Sequence, residues 1–114
     1  AESARFYFDE NFRYDDKADR KFLKPDIAPL VKETRVRLES LDGFTQKSLE
    51  VLFLRILDEK KIKLGEIAQP LRVALTGTSV SPGLFEVMEV LGKETVLRRV
   101  DKALQHMAQK THSH

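Results

Sequence analysis

No cysteine occurs in these 114 residues, which excludes disulfides and cysteine-ligated zinc. No apolar run approaches the ~18–20 residues of a membrane span, and nothing at the start has the form of a signal peptide. A soluble protein of the cytoplasm is therefore the default expectation. The chain opens without an initiator methionine, as a piece of a longer protein would. A glycine-rich phosphate loop, a G-x-S-x-G elbow and an H-E-x-x-H pair are all missing. Neighbouring acids such as Asp15-Asp16 and Asp58-Glu59 lie in polar runs, where solvated carboxylates are the rule. Acid–base catalysis needs a sheltered group with a shifted pKa, and no stretch provides one. His106, His112 and His114 do not make a metal site, since the last two fall in the terminal stretch Lys110–His114, expected to be a disordered tail. Strand-like alternation, an Asn-Gly hairpin turn and internal repeats are also lacking.

What remains is helix. The sequence is 41% hydrophobic and 33% charged, enough to bury a core in one domain. Apolar residues recur at helical spacing in several segments, so the expected fold class is all-α, with six or seven helices joined by short connections. An aromatic-rich opening (Phe6, Tyr7, Phe8, Phe12, Tyr14) is expected to pack its rings on a neighbouring helix. A short helix over about 17–23 should end ahead of Pro25. Asp26 is placed to cap the next, whose stripe is Ile27, Leu30, Val31, Thr34, Leu38 and Leu41, broken at Asp42-Gly43. Thr45 starts a third with Leu49, Leu52, Phe53, Ile56 and Leu57. Val51 and Leu54 widen its stripe and mark it as the most buried helix. A final helix from about residue 94 buries Val96, Leu97, Val100, Ala103, Leu104 and Met107, with Arg98, Arg99 and Lys102 on its outer side.

Between them runs AQPLRVALTGTSVSPGLFEVMEVL, from 68 to 91. Pro70 suits a helix start, which places Arg72 in the first turn of a short helix. Gly77 fits the left-handed residue that closes it. Ser81 is placed to cap the next helix, with Pro82 at its first position, and Gly92 to stop that helix. Arg72, the hydroxyls of Thr78 and Ser81 and free helix-start amides then share a small volume suited to an anion or hydrogen-bonding partner. Net charge is only +2, but it is uneven. Residues 1–57 carry 11 basic and 11 acidic side chains, and 58–114 carry 9 and 7. Lys60, Lys61 and Lys63, just ahead of the stretch, are candidates for contacts with a phosphate backbone.

These residues carry a family resemblance. K-x-x-E-I-A-Q-P-L-R-V-A-L-T-G, then S-P-G-L-F-E-V-M-E-V-L-G-K-E and the closing L-R-R-V-D-K-A-L, resemble the C-terminal anticodon-binding region of bacterial-type glutamyl-tRNA synthetases. The likeness is strongest over 62–104. Family signatures of the H-I-G-H and K-M-S-K-S types are absent. The resemblance therefore implies a C-terminal fragment without the catalytic domain, in which the parent enzyme would use ATP and Mg. It implies residues 1–24 as the end of a preceding subdomain or linker, 25–109 as the helical anticodon-binding domain, and 110–114 as tail. It assigns Arg72, Ser81, Pro82 and Leu84 to the anticodon loop of the tRNA for glutamate, in a monomer that holds no cofactor of its own. The runner-up reading is a helical protein–protein interaction domain with no nucleic-acid role.

Overall fold

A computed structural model describes residues 12–112, with no side-chain detail for 111 and 112. The opening residues Phe6, Tyr7 and Phe8 and the end of the expected tail lie outside that range. Among the described residues the chain forms six α-helices and one short 3-10 turn: α1 (Asp16–Phe22), the turn Pro25–Ile27, α2 (Ala28–Ser40), α3 (Gln46–Lys60), α4 (Leu64–Thr76), α5 (Leu84–Leu91) and α6 (Lys93–His112). The all-α expectation holds.

Local chemistry explains most of the boundaries. The Asp15 carboxylate accepts from the Ala18 amide to start α1, and Thr45 Oγ1 accepts from the Ser48 amide at 3.1 Å to start α3. Each satisfies an amide that has no partner inside its helix. Asp26 does not play this role. The 3-10 turn delivers the chain into α2 through Ile27, and no side chain caps that helix. Pro29 lies in its first turn, where an amide proton is not needed. Gly77 closes α4 at φ 87° and Gly92 closes α5 at φ 86°, both in the left-handed region that glycine adopts without strain.

Two expectations about the interior are corrected. The most buried helix is α4, not α3: Ile67, Ala68, Pro70, Leu71, Val73, Ala74, Leu75 and Thr76 are all buried. On α3 only Leu49, Phe53 and Ile56 are, and Val51 and Leu54 stand 43% and 59% exposed. Helix α4 is contacted by α1, α2, α5 and α6, so nearly its whole circumference meets protein. A single stripe count could not register that. Pro70 also sits inside α4 rather than at its start. An internal proline costs roughly 3 kcal/mol, while each fully buried Leu, Ile or Val side chain contributes roughly 1.5–3 kcal/mol. Burial of Ile67, Leu71, Val73 and Leu75 therefore outweighs the lost hydrogen bond. Arg72 accordingly lies deep in the helix, not in its first turn.

The first and last of the described helices are tied to the same core. Ala18 and Leu23 join the buried cluster that holds Val100, Ala103 and Met107 of α6. Lys110 Nζ donates to the carbonyl oxygens of Asp19 (3.2 Å) and Leu23 (3.0 Å) and to Asp19 Oδ1 (2.7 Å). Helix α6 continues through His112, so the expected tail at 110–114 begins too early. The anchoring of Lys110 on the end of α1 accounts for the extension, because its ammonium supplies a donor to the Leu23 carbonyl just past the helix and interacts favourably with the negative end of the helix dipole. His106 Nε2 is 2.9 Å from Asp19 Oδ1, and its ring lies 4.9 Å from that of Tyr14. Burial pushes the Asp19 carboxyl upward, but hydrogen bonds from Lys110 and His106 outweigh that and hold it below the ordinary carboxylate range.

Candidate nucleic-acid interface

Helix α4 presents Leu64, Ala68 and Arg72 at i, i+4 and i+8, a single face of the helix. That face forms one wall of a cleft of about 240 Å³. The start of α5 (Gly83, Leu84, Phe85, Glu86) forms the second wall, and Gln46 at the first position of α3 the third. The fold thus brings Arg72 and Leu84, two of the residues that the resemblance singles out, to one cleft.

Arg72 is half-buried and its Nε is buried without a hydrogen-bond partner among the described residues. A buried polar atom without a partner costs on the order of 1–3 kcal/mol. In native folds such a group usually has a functional or solvent explanation. The Arg72 carbonyl is engaged by Thr76 Oγ1 at 2.7 Å, which fixes the backbone beneath the guanidinium. No side chain caps α5, so the amides of its first turn have no side-chain partner. The arrangement has the makings of a hydrogen-bonding site: a planar array of donors beside helix-start amides, over an apolar edge from Leu64 and Phe85.

Ser81 and Pro82 lie in the loop leading into α5 but do not line the cleft. Ser81 Oγ donates to the Pro82 carbonyl at 3.1 Å, and Gly83, not Ser81, is the residue before the helix, so Pro82 is not its first residue either. Thr78 Oγ1 accepts from the Val80 amide at 3.1 Å, and the Thr78 amide donates to Thr76 Oγ1 at 3.3 Å. These hydroxyls knit the loop together instead of facing Arg72. Serine and threonine readily find backbone partners within two residues, a competition that spacing alone did not weigh. Leu84 is 5% exposed, so it supports the cleft from beneath and offers little free surface. Pro82 is exposed.

The three expected lysines are dispersed. Lys60 Nζ is paired with Glu33 at 2.6 Å. Lys61 closes α3 in the left-handed conformation at φ 56° and is exposed. Lys63 precedes α4, where its amide donates to Glu66 Oε2 at 2.7 Å. Its side chain lines a second, wider groove of about 680 Å³ with Lys21 and Lys24, over Phe22, Ile27 and Pro70. Asp26 and Glu66 are on the same groove.

Arg99 is the largest departure from the sequence reading. Expected on the outside of α6, it is 2% exposed, with Nη1 donating to the Leu75 carbonyl at 2.7 Å and its guanidinium 5.0 Å from the centre of the Phe12 ring. A cation thus closes the C-terminal end of α4. Among the described residues no group of three or more His, Asp or Glu side chains is arranged to hold a metal ion. No helix there is long and apolar enough to cross a membrane.

Residues 1–104 match the model of a family described as anticodon binding domain. The chain is 49% identical over 104 residues to a glutamate–tRNA ligase of Geotalea uraniireducens, which covers 91% of the chain and 22% of that protein. It is 46% identical over 103 residues to a glutamate–tRNA ligase of Thermus thermophilus, covering 90% and 22%. A crystal structure of a glutamate tRNA ligase from Elizabethkingia meningosepticum, in complex with its amino acid, superposes with a TM-score of 0.86 at 28% identity. That match covers 93% of this chain and 21% of the other. The chain therefore spans only about a fifth of the length of these relatives.

Proposed function

The chain belongs to the anticodon binding domain family, and on that footing we propose that it binds the anticodon loop of the tRNA for glutamate. In that role it selects the tRNA for a parent ligase that joins glutamate to it using ATP. The observation that carries the reading is Arg72: a half-buried guanidinium with an unpartnered Nε, on a cleft whose opposite wall is an uncapped helix start. Bases in an anticodon loop are unstacked, so side chains and amides can reach their edges. A guanidinium supplies paired donors to a base edge or to a phosphate. Leu84 supports that surface from below. Pro82 and Ser81 lie on the loop into α5, outside the cleft lining, and are assigned to neighbouring parts of the anticodon loop. Lys60, Lys61 and Lys63 are assigned to flanking phosphates, with Lys61 and Lys63 the better placed because Lys60 is held by Glu33.

Residues 25–109 are taken as the helical domain proper, with 1–24 as the lead-in from a preceding subdomain. Within that lead-in, α1 packs against α4. ATP and Mg belong to a catalytic domain of the parent and are given no residue here. The protein is read as a cytoplasmic monomer.

The test is a titration of the 114-residue chain with the tRNA for glutamate across a salt series. Affinity is expected to fall as salt rises, and Arg72→Ala to weaken binding about tenfold or more, the worth of one good bidentate contact. Unchanged binding by the Arg72→Ala protein refutes the site.

A further inference from the structure

We propose that Gln46 is a specificity-determining residue of the Arg72 cleft, its side-chain carbonyl accepting from the exocyclic amino group of a cytosine or adenine base. The inference rests on the reading that this cleft binds RNA. Donors from Arg72 and from the start of α5 would suit a phosphate as well as a base. Glu86, exposed and on the same cleft, tips the balance. Its carboxylate repels a phosphate but tolerates a neutral base edge.

Gln46 stands on the remaining wall, in the first turn of α3. Its Nε2 donates to Glu89 Oε1 at 3.2 Å. A carboxylate can only accept, so Glu89 fixes which end of the amide is nitrogen. The Gln46 carbonyl oxygen is then left with no protein partner among the described residues. The cleft therefore presents donors on the α4 and α5 walls and an oriented acceptor on the α3 wall. A cytosine edge is the complement of this pattern, with two acceptors (N3 and O2) beside an amino donor (N4). Adenine offers N1 and its N6 amino group in the same sense. Uracil sets a keto oxygen where the amine would be, acceptor against acceptor, and the mismatch leaves both unsatisfied.

RNA hairpins that differ only by cytosine or uracil at one loop position, each position varied in turn, test this with the 114-residue chain. The unaltered protein is expected to favour cytosine about tenfold at one position. Gln46→Leu should erase that ratio by weakening the cytosine hairpin, and Gln46→Glu combined with Glu89→Gln, which keeps the amide–carboxylate pair and an acceptor at position 46, should preserve its direction. Circular dichroism verifies that both variants fold. Two results overturn the role of Gln46 and leave RNA binding standing: no position favours cytosine, or Gln46→Leu keeps the ratio while Arg72→Ala weakens all hairpins alike. Failure of the unaltered chain to bind any hairpin overturns this proposal together with the reading beneath it.

Discussion

Two arginines on neighbouring helices make opposite use of the same side chain. Arg99 is closed into the fold: it donates to the Leu75 carbonyl, lies against the Phe12 ring and is almost wholly buried. Arg72 is half-buried, has an unpartnered Nε and borders a cleft. Both serve α4, the first at its C-terminal end and the second on the face toward α5. A guanidinium whose donors are consumed by the protein stabilises the fold. One left with an unpartnered Nε keeps donor capacity that the proposed RNA contact would use. The Arg99 region should therefore be costly to alter for stability, and the Arg72 region for binding.

The sharpest way to break that contrast is Arg99→Met, which keeps much of the volume and removes the charge. Urea unfolding should show a loss of about 2–4 kcal/mol, since a charge-assisted buried hydrogen bond and a helix-end interaction vanish together. Little loss would put Arg99 on a par with Arg72. Next comes Gly77→Ala, beside the Arg99 region. The residue has φ 87°, and an added Cβ would collide with the Arg13 carbonyl oxygen, while its own carbonyl accepts from the Asp15 amide at 2.7 Å. A loss of about 2 kcal/mol is expected by thermal denaturation, from the left-handed strain and the displaced backbone.

On the other side of the contrast, Arg72→Ala should change unfolding free energy by no more than about 0.5 kcal/mol while costing the RNA affinity described above. A stability loss comparable to that of Arg99→Met would mean that Arg72 is a structural residue. The smallest effect expected is the acid response of the α1–α6 clamp. The Asp19 carboxyl is held below its ordinary value in the folded state, so the unfolded chain takes up its proton first as pH drops. Its contribution is present in full above about pH 4 and is lost as pH falls through the folded value. Glu33 and Glu59 are lowered by hydrogen bonds from Lys60 and Arg37 respectively and act in the same direction. A comparison with Asp19→Asn isolates Asp19. The variant should be less stable at neutral pH, and the gap should narrow on acidification below about pH 4. A gap that stays constant down to low pH contradicts the clamp.

Much of the fold was legible in the order of residues. Apolar spacing marked the helices and their succession, Thr45 and Gly77 marked a start and a stop, and the P-L-R and S-P-G-L-F motifs marked the corner at which Arg72 and Leu84 meet. Each of those signals is local, a matter of residues within a few positions of one another. The misreadings share the opposite character. Pro70 looked like a helix start because the rule that forbids it inside a helix counts one hydrogen bond and not four buried neighbours. Ser81 has the chemistry of a cap, but α5 begins only at Leu84, two positions beyond the place that a cap at Ser81 requires.

Periodicity and turn chemistry act over one or two turns of chain. The class of fold, the limits of most helices and the family to which the site belongs therefore follow from the residues in their order. Which helix is central, that Arg99 faces inward to the end of α4, and that Gln46 joins Arg72 across a cleft were settled only by packing. Those outcomes depend on which faces meet. In an all-helical fold, side chains 26 positions apart, as Gln46 and Arg72 are, come together only when whole helices pack. Nothing in the spacing of either motif fixes how α3 lies against α4 and α5. The cleft exists because burial of the apolar faces set that arrangement, and it left one arginine closed in and the other open.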